Sequence, residues 1–288
     1  MLKSTSRIFT FGCSFTEFPW PTWADIIIEH AESEVPGVVG ENWGRTGAGN
    51  TFIASRIWEC HAKNKLTSDD YVFICWSSIF REDRHINGNW ITNGELLRLE
   101  DGITPEFVLK YTGDVNSKYN MLKDCALIQS THLALQQLGV NVIHFTMIGL
   151  TQGAGAPWVP KYDSSIDTIA ETFDIQFDGL PMMQVLDLKD QSPKRGKNRL
   201  QTYWPALRED WPETDPAPEW HPTPKEHLTY LEQEIIHKVD FLKQGINEAG
   251  KIIVTRHMAI INALNKKPLK LHRGITMWPI PKSITEKW

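Results

Sequence analysis

The chain has 288 residues, 41% of them hydrophobic, 10% aromatic and 23% charged. That balance buries a large core and excludes a disordered, collagen-like or coiled-coil protein; at about 150 residues per domain it holds one large or two small domains. A net charge of −5 supplies no overall attraction to phosphate or anionic lipid, so neither nucleic acid nor a membrane is an expected partner.

Met1 to Arg7 leads into a short apolar run that Gly12 interrupts, too brief for a secretory signal. No stretch approaches the roughly 18 consecutive apolar residues of a membrane span. A cytoplasmic chain made without export is expected. The four cysteines, Cys13, Cys60, Cys75 and Cys125, are scattered, which suits free thiols in a reducing compartment better than disulfides or zinc. No metal site stands out, and no cofactor is expected.

In chain order, Arg7 to Gly12 reads as a buried strand, and 37–42 as a weaker second one. Residues 52–63 are helix-like and follow a glycine-rich loop. Asp70 to Trp76 is a strong third strand. Residues 85–113 carry Asn-Gly at 87–88 and 93–94, the turn signal of a hairpin excursion. Met121 to Leu138 is a helix that Gly139 ends as a left-handed cap, and Val140 to Met147 is a fourth strand. Strand and helix alternate, which predicts an α/β fold with a parallel sheet. The long segment 150–218, rich in Gly, Pro, Asp and Trp, suits a cover over a site. Helices are expected at 225–245 and 251–265, followed by an extended arm containing Pro268, Trp278, Pro279, Pro281 and Trp288. The expected division is a domain at 1–245, with insertions at about 85–118 and 150–218, then a C-terminal helix and arm at 246–288.

Three places carry chemistry. Ser14 stands directly after the first strand and two residues after Gly12, where the carboxyl edge of a parallel sheet opens into a crevice. An ordinary turn cap is the plainer reading. His221 lies in Glu219-Trp220-His221-Pro222, with Asp215 upstream. A serine needs a base to take its proton, histidine titrates in the right range, and a carboxylate holds the ring's tautomer. A surface histidine is the alternative. Gly44 to Thr51 nearly spells a phosphate loop, but Asn50 stands where the lysine would be. The same loop offers backbone N–H donors to a developing oxyanion.

Gly12-Cys13-Ser14-Phe15-Thr16, Asn42 to Gly47, and Glu219 with His221-Pro222 together resemble, in order, the blocks of the SGNH (GDSL-like) hydrolase superfamily over about residues 7–237. The resemblance implies a three-layer, flavodoxin-like α/β/α fold and a serine esterase. Ser14 would be the nucleophile, His221 the base and Glu219 the acid, with Asp215 in reserve. Ser14, Gly47 and Ser77 would form the oxyanion hole, Ser77 replacing the family's asparagine in Cys75-Trp76-Ser77-Ser78. Cys13 replaces the family's aspartate, and Pro218 stands at the commoner acid position. Arg81, Asn50 and Trp220 would meet substrate, a small-molecule or glycan ester, with O-acetyl removal from carbohydrate as the suggested reaction. Trp20, Trp23, Trp204, Trp211 and Trp220 would be available to stack on a sugar.

The Gly-Cys-Ser-Phe-Thr block is similar to proteins of bacteria and bacteriophages, which suggests a virion-associated location as the alternative to the cytoplasm. The rival function is an SGNH-fold protein with weak or no turnover that binds carbohydrate or builds a structure. Its arm would pack on a neighbouring subunit in a homo-oligomer or virion. The basic runs 194–199 and 266–273 read as solvated loops. His227 and His237 read as structural or exposed, without the spacing of a zincin.

Overall fold

Two strands form the middle of the sheet because their sequences are apolar on both faces. β1 (Arg7–Gly12, RIFTFG) and β3 (Tyr71–Trp76, YVFICW) are each buried from their second residue onward. Such unbroken runs are what a sheet covered on both sides requires. The computed structural model describes residues 2–18, 20–79, 81, 83–86, 89–91, 117–151, 165–188 and 221–266.

All pairs in the main sheet are parallel. β2 (Val39–Asn42) flanks β1 on one side, and β6 (Asn141–Thr146) flanks β3 on the other, in the order β2-β1-β3-β6. That is the flavodoxin-like order as far as the described strands extend, with the switch point between β1 and β3. The helices lie on both faces. α1 (Trp23–Glu34) packs with the C-terminal helices, and α2 (Asn50–Asn64) packs with α3 (Ser117–Gln137). The architecture is three-layer α/β/α.

The four expected strands and the helices expected at 52–63 and 121–138 are present, with shifted ends. β2 begins at Val39, two residues late, and α3 begins at Ser117, four early. Gly139 takes φ +74 after α3. β4 (Arg84–Ile86) and β5 (Asn89–Ile91) form an antiparallel pair, the start of the expected hairpin. Both of its Asn-Gly pairs, 87–88 and 93–94, lie outside the described residues. Within 150–218, α4 (Ser165–Phe173) and the short α5 (Met182–Val185) are helical, so that segment is less irregular than its composition suggests.

Two corrections concern helices. The stretch expected as one helix over 225–245 is α6 (Pro224–Tyr230), then a π turn at Leu231–Ile235 and 3₁₀ turns at Ile236–Lys238 and Asp240–Leu242. Val239, extended at φ −131, breaks the run, and Gly245 at φ +86 ends it. α7 (Ile246–Lys266) then starts five residues before the expected 251. It lies on α1, with Ile246, Ala249 and Ile253 buried and Arg256 paired to Glu29 at 3.0 Å. The arm beyond it lies outside the described residues.

Candidate active site

The turn after β1 is built for close approach. A Cβ on Gly12 would stand 2.0 Å from Thr16 Oγ1 and 2.9 Å from the Cys75 carbonyl, so only glycine fits there. The chain then folds back, with the Thr16 and Glu17 N–H groups both donating to the Cys13 carbonyl (2.9 and 3.0 Å). Ser14 heads this turn at the carboxyl edge of the sheet, 3% exposed. The Thr16 carbonyl accepts from Asn42 Nδ2 at the end of β2 (2.8 Å) and from Thr22 Oγ1 at the start of α1 (2.7 Å).

The glycine-rich loop is laced to that turn. Arg45 N–H donates to the Gly12 carbonyl (3.0 Å), and Thr46 N–H to Glu17 Oε2 (2.9 Å). Gly44 N–H donates to Asn42 Oδ1 (3.0 Å). Gly47 sits at φ +83, a conformation that glycine adopts without a Cβ penalty. Among the described residues no acceptor takes the backbone N–H of Ser14 or of Gly47.

The start of α2 is different. Asp83 places one carboxylate oxygen on Gly49 N–H and the other on Phe52 N–H, both at 2.8 Å. A helix N-terminus attracts an anion, and here the chain supplies its own. The near-phosphate-loop therefore holds an internal carboxylate where a nucleotide's phosphate would sit. Those two donors are also spent for any oxyanion. Burial pushes the Asp83 carboxyl up, against the two N–H bonds that favour its charged form.

Asn50 and Arg81, both expected at the substrate, have other partners. Asn50 is fully buried and clasps the backbone of Ser77: its Oδ1 accepts the Ser77 N–H (2.7 Å), and its Nδ2 donates to the Ser77 carbonyl (3.2 Å). Nδ2 also donates to Asp124 Oδ2 on α3 (2.8 Å). Arg81 Nη1 donates to the Ala48 carbonyl (2.9 Å) and so braces the glycine-rich loop. The Ser77 hydroxyl, expected as an oxyanion donor, is buried and directed at Met147 Sδ (3.9 Å), a sulfur that also lies 3.3 Å from Cys13 Sγ. Burial raises the Asp124 carboxyl to about 6, with Lys123 Nζ at 3.6 Å and Asn50 opposing. Burial and the adjacent Cys13 push the Cys75 thiol up, which makes it a poor nucleophile.

His221 returns to the Ser14 turn from far along the chain. Its ring stacks on Phe18 (centroids 3.8 Å apart, planes at 20°) and meets Phe15, the residue after Ser14, edge-on at 5.6 Å. Trp20 Nε1 donates to the Pro222 carbonyl at 2.8 Å, across 202 residues of sequence. The expectation that Trp20 and Trp23 stack on a sugar is corrected: both are fully buried, Trp20 on the His221 loop and Trp23 against Phe145 at 5.0 Å. Glu219, Asp215, Trp220, Trp204 and Trp211 lie outside the described residues.

The turn that Ser14 heads thus receives both the loop that holds Gly47, through Arg45 and Thr46, and the His221 ring, through Phe15 and Phe18. Sequence reasoning missed Asp83, Asp124 and Phe18. Asp83 sits in the charged run Arg81-Glu82-Asp83-Arg84, which reads as solvated. Asp124 did leave a signal, since it falls at helical spacing among Met121, Cys125 and Ile128 on the buried face of α3. Among the described residues no group of three or more His, Cys, Asp and Glu is placed to hold a metal ion, and no helix is long and apolar enough to cross a membrane.

No family model matches the chain, and no curated protein matches it. Among solved structures it is similar to a GDSL-like lipase from Bacteroides thetaiotaomicron, at 15% identity over 84% of this chain and 88% of that one, TM-score 0.38. It is also similar to a catalytic mutant of an acetylxylan esterase from Geobacillus stearothermophilus, at 15% over 83% and 97%, TM-score 0.34. A psychrotrophic esterase from Pseudoalteromonas sp. is similar at 14% over 64% and 82%, TM-score 0.30.

Proposed function

We propose that this chain is a serine esterase. Ser14 attacks the ester carbonyl, His221 takes its proton and later returns it to the leaving alcohol, and Glu219 orients the imidazole. The Ser14 and Gly47 N–H groups receive the charge that develops on the carbonyl oxygen. The observation that carries this reading is the contact of the His221 ring with Phe15 and Phe18 on the turn headed by Ser14. A base must reach the proton it removes, and a histidine whose ring meets the residue after Ser14 supports that role. The substrate class is a short-chain or acetyl ester, with O-acetylated carbohydrate as the favoured source. The test is hydrolysis of short nitrophenyl esters and acetylated glycans by the wild type, Ser14→Ala, His221→Asn and the double variant. Each single loss should remove nearly all activity, and the double variant should be little worse, since triad members act as a unit.

One observation favours a weaker catalyst or a binding protein. Ser77 directs its hydroxyl at Met147 and has its backbone N–H and carbonyl engaged by Asn50. The hole then depends on two backbone donors. In that reading the folded wild type binds acetylated glycan, measured by calorimetry, and hydrolyses none of it.

A further inference from the structure

We propose that Phe18 and Trp20 are positioning residues that hold the His221 imidazole against the Ser14 turn, an inference that rests on the serine-esterase reading. A carboxylate bonded to one ring nitrogen fixes that nitrogen and its tautomer, but it leaves the ring plane free to turn about the bond. Here the plane has its own support. Phe18 covers one face of the ring at 3.8 Å and 20°, and Phe15 meets it at 5.6 Å and 60°. Trp20 closes the arrangement: its ring meets Phe18 edge-on at 4.5 Å and 69°, while its N–H holds the carbonyl of Pro222, the residue after the base. Trp20 is fully buried, so that bond is shielded from water.

All three aromatic residues belong to the segment that begins at the nucleophile. Thr16 ties the same segment to Asn42 and Thr22 through its carbonyl. Nucleophile and base therefore share one support. Trp20, which reads in the sequence as available to a sugar, serves on this geometry to seat the base. The consequence is a division of labour, in which the acid selects the tautomer and the aromatic clasp sets the plane.

The test combines a spectroscopic and a kinetic readout on the full chain. In the wild type, ring current from Phe18 should move the His221 carbon-bound ring protons upfield in the NMR spectrum. Phe18→Leu should abolish that displacement, and Phe18→Tyr should keep it. With a short nitrophenyl ester, and with active sites counted by fluorophosphonate titration, kcat per labelled serine should fall about tenfold to a hundredfold in Phe18→Leu, as small misplacements of a catalytic group do. It should fall about tenfold in Trp20→Phe, which removes the N–H and keeps a ring. KM should stay unchanged in both, and Phe18→Tyr should restore kcat. A variant that is merely misfolded loses titratable sites without losing kcat per site. Wild-type kcat per site in Phe18→Leu and Trp20→Phe, or an unshifted His221 in the wild type, overturns the clasp. A folded wild type that takes no label at Ser14 overturns the esterase reading, and the positioning role with it.

Discussion

The two edges of the parallel sheet use the same residue type in opposite ways. At the amino edge, Asp70 receives Arg7 bidentately, Nε at 2.8 Å and Nη2 at 2.7 Å, and also accepts from Thr67 N–H at 2.7 Å. Burial alone would raise its carboxyl, but these partners hold it below the usual range. At the carboxyl edge, burial prevails. Asp25, in the capping box that starts α1, rises to about 6, Asp124 rises to about 6, and Asp83 is raised as well. A lowered carboxyl adds stability that is present above its unfolded pKa and lost as pH falls; a raised one adds stability that is present at low pH and lost as pH climbs through its folded value. One edge is paired for stability. The other holds charge at a cost, and it is the edge that frames Ser14.

The sharpest way to break this contrast is at Asp83. Asp83→Ala leaves the Gly49 and Phe52 N–H groups without their acceptor in a buried place, and should cost about 3 kcal/mol in urea unfolding. Asp83→Asn, which keeps one acceptor, should cost less. If both unfold like the wild type, the carboxylate does not hold the start of α2.

Arg7→Ala should cost about 2 kcal/mol at pH 7, because it strips a nearly buried carboxylate of its cation while Thr67 still donates. Its penalty should shrink as pH falls below about 4, where Asp70 protonates in the unfolded chain. A penalty independent of pH would place the loss in packing of the arginine stem.

Asp124→Asn should move stability the other way, by about 1 kcal/mol above pH 6, since it removes a buried charge and keeps an acceptor for Asn50. The decline of stability between about pH 4 and 6 should flatten but persist, because Asp25 titrates with the same sign. Thermal unfolding across pH reads both effects. A destabilised Asp124→Asn at pH 8 would mean that the charge itself holds Asn50 in place.

The same contrast explains what could be read before the fold was seen. β1 and β3 were legible because apolar runs of six residues have few other uses, and Ser14 because of where its strand ends. α1 was not legible: three consecutive apolar residues, Ile26 to Ile28, obscure the helical spacing, and its capping box uses Asp25 in place of glutamate. The second block was legible as a loop but not in its partners. Gly49 and Phe52 are held by an aspartate more than thirty residues away, and Asn50 by one on α3 (sequence separations of 34, 31 and 74). Local pattern carries no trace of such tertiary pairing. The role of Trp20 was misread for the same reason, since a tryptophan near a site loop looks alike whether it faces ligand or clamps a neighbouring turn.

The proposed function makes Ser14 a nucleophile that His221 activates. Treatment of the folded wild type with a fluorophosphonate, followed by mass mapping of the adduct, tests it most directly. One label on Ser14, absent from Ser14→Ala and formed at least a hundredfold more slowly in His221→Asn, is the predicted result, about the loss expected when a triad's base is removed. A folded wild type that takes no label, or takes it on another residue, would contradict the claim.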